Sequence, residues 1–219
     1  MKVLIIGAHG KIGKLTTEKM KASAQFSPTA FIRKEEQRAF FEAMDVPVCV
    51  ASLESSVDEI AQTIKGFDAV VFTAGSGGKT GFDKTLEIDL DGAVKSMLAA
   101  EQAGVKRYVM VSACFADDRS KWEASGIKPY YIAKHFADRE LQRTNLDYTI
   151  LRPVRLTDEA GSETVTIKPT PEGVQSEISR EDVATSILEV LNHPETIGKI
   201  MVMSAGVTPV KEAVLSVWS

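Results

Sequence analysis

The first thirteen residues restrict this chain more than any other stretch. Val3-Leu4-Ile5-Ile6 is a continuous apolar run, and Gly7, Gly10 and Gly13 follow it three residues apart. A short apolar run closed by glycine reads as a strand buried on both faces. The segment Lys11–Ala24 then reads as a helix, with Ile12, Leu15, Lys19 and Ala22 recurring at helical spacing. In a strand–glycine–helix turn the first glycine permits the tight bend. The second lets the backbone approach a pyrophosphate, and the third lets the helix pack on the sheet. The helix N-terminus then faces the anion. Gly7, His9, Gly10, Lys11, Ile12 and Gly13 are therefore the expected dinucleotide cradle.

The same alternation runs through most of the chain. Strands are expected at Thr29–Ile32, Val46–Val50, Asp68–Thr73, Lys106–Val111 and Tyr148–Leu151. Helices are expected between them at Glu35–Met44, Val57–Ile64, Asp83–Ala103 and Tyr130–Thr144. Strands alternating with helices imply an α/β fold, here a doubly wound parallel sheet of the NAD(P)-binding Rossmann type. After Pro153 the texture turns polar and rich in proline and glycine, with one β-like run at Val165–Ile167. A helix opened by Ser179, a strand at Lys199–Met203 and a last helix at Pro209–Val217 follow. The expectation is one domain over 1–219, with a small irregular substrate-side cap at 154–179.

Composition narrows the partners. The 219 residues carry 26 basic and 30 acidic side chains, a net charge of −4 that gives no support to nucleic-acid binding. No apolar run is long enough for a leader or a membrane span. Cys49 and Cys114 stand far apart, and three scattered histidines make no metal set. A reduced, cytoplasmic protein acting on a small-molecule substrate is expected, either a monomer or a homodimer.

Cofactor flavour turns on the end of the second strand. An acidic residue about 20 positions past the glycines would hold a ribose 2′-hydroxyl. The chain has Arg33 and Lys34 there instead. Two cations suit a 2′-phosphate, so the reading favours NADP over NAD. The loop holding Ala74 and Gly75 is expected to pass over the cofactor. Its continuation, Ser76-Gly77-Gly78-Lys79-Thr80, only superficially resembles a triphosphate loop, because Thr73 stands where that motif needs glycine.

Catalytic candidates lie on the later strands. Tyr130 and Lys134 are four apart on an expected helix and share a face. Ser112 ends the fifth strand, where doubly wound sheets bind ligands. Such a group suits hydride transfer to a carbonyl: Tyr130 as acid/base, Lys134 lowering its pKa and holding the nicotinamide ribose, Ser112 polarising the substrate oxygen. Tyr131 is a rival partner for Lys134. Among the remaining residues, His9 reads as either a phosphate neighbour or a solvent-facing loop side chain. His135 reads as structural, and Cys114 as a small buried residue.

Six segments form an ordered series: the glycine loop, Ile88–Ala93, Gly104–Ser112, Tyr130–Lys134, Leu146–Pro153 and Ile178–Ala184. The series resembles the atypical short-chain dehydrogenase/reductases, the small NAD(P)-binding group that includes NmrA-like proteins and is related to epimerase/dehydratases. The resemblance implies that Pro153 and Val154 lie by the nicotinamide. It also implies that the residues after the third strand lie near the adenine, here Ser52-Leu53 in place of an Asp-Leu pair. Ala113 stands where many relatives carry a second serine. Two functions are implied: an NADPH-dependent reductase of a small carbonyl or quinone-like substrate, or an NADP(H)-sensing regulator without turnover. The short tail after Pro153 argues against a nucleotide-sugar epimerase, which needs a larger substrate lobe.

Overall fold

The computed structural model describes residues 1–77 and 80–216. Gly78, Lys79 and Val217 lie outside the described residues. In chain order the first half comprises β1 (Lys2–Ile6), α1 (Lys11–Ala22), β2 (Ser27–Ile32), a 3₁₀ turn (Glu35–Gln37), α2 (Arg38–Glu42), β3 (Val48–Val50), α3 (Val57–Ile64) and β4 (Ala69–Phe72). A helical stretch follows in three pieces: α4 (Phe82–Lys84), a π-helical segment (Thr85–Gly92) and α5 (Ala93–Gln102). Next come β5 (Arg107–Val111), α6 (Arg119–Trp122), α7 (Lys128–Leu141) and β6 (Asp147–Pro153). The tail carries β7 (Arg155–Thr157), β8 (Thr164–Lys168), β9 (Glu177–Ser179), α8 (Arg180–Asn192), β10 (Lys199–Ala205), β11 (Thr208–Pro209) and α9 (Val210–Ser216).

One nine-stranded sheet runs in the order β11-β8-β10-β6-β5-β4-β1-β2-β3. The strands from β3 to β10 are parallel, and β8 and β11 join the far edge antiparallel. This is the doubly wound order, whose strand sequence reverses between β1 and β4 and opens a crevice at their carboxyl ends. Successive residues of β1 serve opposite faces. Val3 and Ile5 pack with Ile12, Met20, Val183 and Ile187, while Leu4 and Ile6 pack with Ile60, Ile64, Met97 and Leu141. A strand with two apolar faces has no polar alternation to show, and the continuous run at the N-terminus follows from that.

Three expectations need revising. The stretch Thr164–Lys168 is not irregular cap: it is a strand of the main sheet, paired with β10. What remains of the cap is a two-stranded parallel ribbon, β7 with β9, and the loop after β7. That loop is tied to the start of α8: the Asp182 carboxylate accepts from Ser162 N at 3.1 Å and Glu163 N at 2.8 Å, and Glu181 accepts from Gly161 N at 2.9 Å. The buried side of α1 is also not the one read from spacing. Ile12, Gly13, Thr16, Thr17 and Met20 are buried, whereas Lys19 turns to a salt bridge with Glu181 at 3.0 Å. Finally, the expected helix Asp83–Ala103 holds a π segment, an extra residue per turn that periodicity cannot reveal. Among the described residues, no helix is long and apolar enough to cross a membrane.

Candidate active site

The glycine loop is built by close approach. Gly7 has φ +83°, and a Cβ there would lie 2.5 Å from Ala74 N. A Cβ on Gly13 would lie 2.3 Å from Gly7 O, so the helix can enter the turn only with glycine at that position. Gly10 N donates to Gly7 O at 2.9 Å and closes the turn. No side chain caps α1 and no acid occupies its first turn, leaving free N–H groups and the positive end of the helix dipole. That end fits a dinucleotide pyrophosphate.

A cleft of about 290 Å³ opens at the β1/β4 switch point. Of the expected cofactor residues, Gly7, His9, Gly10, Arg33, Leu53, Ala74 and Gly75 line it. Ser52 and Glu54 flank Leu53 on its wall, and Ile6, Phe31, Ile32, Gln37, Thr73, Ser76 and Ile88 complete it. Lys11, Ile12, Gly13, Lys34, Pro153 and Val154 do not line this cleft. Lys34 instead pairs with Glu36 at 3.4 Å, and Lys11 reaches across to Asp158, which also holds Arg180 at 2.7 Å. Pro153 O accepts from Cys114 N at 3.0 Å, and Val154 N donates to Met203 O at 3.0 Å. His9 is not a free loop side chain. Its ring packs edge-on against Phe40 and Phe41, and its Nδ1 lies 3.3 Å from Gln37 Nε2. Burial, then the Lys14 ammonium, lowers the His9 pKa.

The second group sits at the end of β5 and on α7. Lys134 is buried, with 3% exposure, and its Nζ donates to Val111 O at 2.9 Å. The same Nζ lies 5.9 Å from the centroid of the Tyr130 ring. Tyr130 is half-buried as a residue, but its phenol end is enclosed. Burial, then the charges of Asp89, Tyr131 and Asp138, push the phenol pKa up rather than down. Burial is the largest cause of this rise, and the Lys134 ammonium, engaged with Val111 O, does not reverse it. Tyr131 packs edge-on against Tyr130 at 5.7 Å.

Ser112 is 3% exposed and held by Ser112 N donating to Leu151 O at 2.7 Å. Its hydroxyl favours the ionised form of Asp138. Even so, neither Ser112 Oγ nor Asp138 Oδ1 closes a hydrogen bond among the described residues. Asp138 Oδ2 accepts from Arg152 Nε at 2.8 Å, and Arg152 donates onward to Asp117 at 2.6 Å. Burial pushes the Asp138 carboxyl up, against Arg152, Ser112 and Lys134. Burial pushes the Cys114 thiol up to about 11, which fits a packing residue rather than a nucleophile. His135 Nδ1 bonds Ala116 O at 3.0 Å beneath Trp122, a structural role.

Asp89 braces the cleft wall. The π segment turns it inward, where it is 2% exposed. Its Oδ2 accepts from Ser76 N, on the cleft wall, at 2.9 Å, and its charge acts on Tyr130. Asp89, Asp138, Arg152 and Gln37 were not singled out from the sequence for any role. Only their clustering in space marks them. Among the described residues, no group of three or more His, Cys, Asp or Glu side chains could hold a metal ion.

Comparison with known proteins agrees with this geometry. Residues 7–194 match the family described as NAD(P)H-binding. A Bacillus subtilis protein named as an uncharacterized sugar epimerase, YhfK, is 46% identical over 97% of this chain and 98% of its own. A structure from Bacillus halodurans, named for the NAD-dependent epimerases/dehydratases, superposes with a TM-score of 0.90 at 38% identity, covering 98% of both chains. The oxidoreductase ylbE from Lactococcus lactis superposes with a TM-score of 0.87 at 36% identity, covering 100% of this chain and 97% of that one.

Proposed function

The chain belongs to the NAD(P)H-binding family, and on that premise we propose that it is an NADP-dependent oxidoreductase acting on a small carbonyl or quinone-like substrate. The observation that carries this reading is the glycine-lined cleft at the β1/β4 switch point, whose wall at Ser76 is held by the buried Asp89. The Ser112/Tyr130/Lys134 group, at the end of β5 and on α7, would serve the same site. Gly7, Gly10 and the start of α1 would hold the pyrophosphate, with Leu53, Ala74 and Gly75 beside the adenosine half. Arg33, exposed at the rim of the cleft, would pair with a 2′-phosphate. Pro153 and Val154 would border the nicotinamide end.

Bound nicotinamide supplies the hydride. The protein supplies the proton and the orientation. A phenol whose pKa is raised stays neutral at pH 7, so Tyr130 has a proton to donate to the oxygen of a carbonyl as that oxygen gains charge. Lys134 has three N–H donors and uses one on Val111 O, which leaves two for a ribose hydroxyl or the reacting oxygen. The Ser112 hydroxyl, buried beside the Asp138 carboxyl without a closed hydrogen bond, would orient the substrate oxygen.

A second reading, an NADP(H) sensor without turnover, draws on one observation: Lys134 is anchored to Val111 O instead of to the phenol. Turnover separates the two. In the enzyme, Tyr130→Phe lowers turnover of a reducible carbonyl by about 10²-fold or more while leaving the Kd for NADPH within about twofold. NADPH binding with no turnover of any carbonyl or quinone by the wild-type protein would favour the sensor.

A further inference from the structure

Gln37 touches both the end of β2 and the glycine loop at the cleft. It closes the 3₁₀ turn after β2 and is half-buried. Its Oε1 accepts from Arg33 N at 3.2 Å and from Lys34 N at 3.3 Å. Two backbone donors on one atom settle which end of the amide is oxygen, so the other end is the NH₂ group. That NH₂ lies 3.3 Å from His9 Nδ1. An NH₂ group can only donate, and the imidazole nitrogen it meets must accept. His9 therefore carries its proton on Nε2 and is neutral, as its burial and the nearby Lys14 ammonium also favour. Gln37, His9 and Arg33 all line the same cleft.

We infer that Gln37 is a positioning residue for the 2′ group of the adenosine ribose. By fixing the His9 tautomer it readies an Nε2–H, and by bracing the Arg33–Lys34 backbone it sets the base from which the guanidinium reaches the same anion. The ligand chemistry is a ribose 2′-phosphate held between a fixed neutral donor and a mobile cation. The inference rests on the reading of the cleft as the adenosine site. It goes further in assigning selectivity to an uncharged side chain that makes no charge contact itself. Removing the amide should cost affinity for the 2′-phosphate and little else.

Two probes isolate the 2′ group without any turnover: 2′,5′-ADP carries it and 5′-AMP lacks it. For Gln37→Met, which keeps length and loses both hydrogen-bonding ends, titration should show 2′,5′-ADP binding weakened about tenfold and 5′-AMP changed less than twofold. The imidazole ¹⁵N shifts of His9 should report a protonated Nε2 and a bare Nδ1 in the wild-type protein. Gln37→Glu offers Nδ1 an acceptor, so the same spectrum should show a protonated Nδ1, and the 2′,5′-ADP preference should fall again. Equal weakening of both probes, no weakening of either, or an Nδ1-protonated wild-type His9 would each overturn the assignment. Wild-type protein that binds neither probe would remove the adenosine reading of the cleft, and the assignment with it.

Discussion

At the scale of single residues, the most consequential pairing is Asp138 with Arg152. Both side chains are almost fully enclosed, at 1% and 5% exposure, and Asp117 holds the other side of the guanidinium. Removing one member of a buried ion pair leaves an uncompensated charge and costs about 3–5 kcal/mol. Asp138→Ala should therefore lower the unfolding free energy by that amount in a urea titration, and a loss under about 1 kcal/mol would contradict the pairing. The sequence could not show this. Asp138 and Arg152 lie on a helix and on the following strand, and only the packing of α7 on the sheet brings them together. Gly7 and Gly13 were legible because their constraint is local: each is required by a backbone contact within the turn or with the neighbouring strand end, and a side chain at Gly10 would crowd Gly7 O. Ser112, Tyr130 and Lys134 were legible as positions, whereas the direction of the Tyr130 pKa was not. Residue types four apart on a helix give no information about which carbonyl captures an ammonium, nor about an aspartate delivered by another helix.

Among elements, the strand–turn–helix unit from β1 to α1 carries the clearest expectation. A methyl group on Gly13 would meet Gly7 O and Ala8 Cα, both backbone atoms that cannot rotate away. Overpacking of this kind costs about 1–3 kcal/mol, and relief of the clash would have to open the turn. Gly13→Ala should thus lower the melting temperature and abolish measurable NADPH binding together; normal binding in this variant would contradict the close packing described. The α3 helix was legible to the residue, because Ser56 and Glu59 form a reciprocal capping box. The long helix before β5 was legible only in outline. Its π segment (Thr85–Gly92) is an irregularity of hydrogen bonding, stabilised where Asp89 finds Ser76 N, and no apolar spacing announces it. The segment β8 reads as polar in sequence because it sits near the sheet edge and buries only alternate residues, Val165 and Ile167.

For the whole molecule, one sheet order explains where chemistry can occur. The reversal between β1 and β4 opens the crevice, and the glycine loop, the β2 turn and the loop after β4 meet there. Continuing along the same edge, the ends of β5 and β6 bring Ser112 and Pro153 into line beside α7. The family membership and this arrangement account for NAD(P) binding. The choice between the two cofactors rests on Arg33 at the cleft rim, where a 2′-phosphate would replace a 2′-hydroxyl. The Glu54 carboxylate, also on the cleft lining, pairs with Lys84, which Glu87 shares, and it feels the Arg33 charge as well. Calorimetric titration with NADPH and NADH at matched ionic strength tests this most directly. NADPH should bind at least tenfold tighter, about 1.4 kcal/mol, with most of that margin lost in Arg33→Ala. Equal affinity for the two cofactors, or a margin that survives Arg33→Ala, would contradict it.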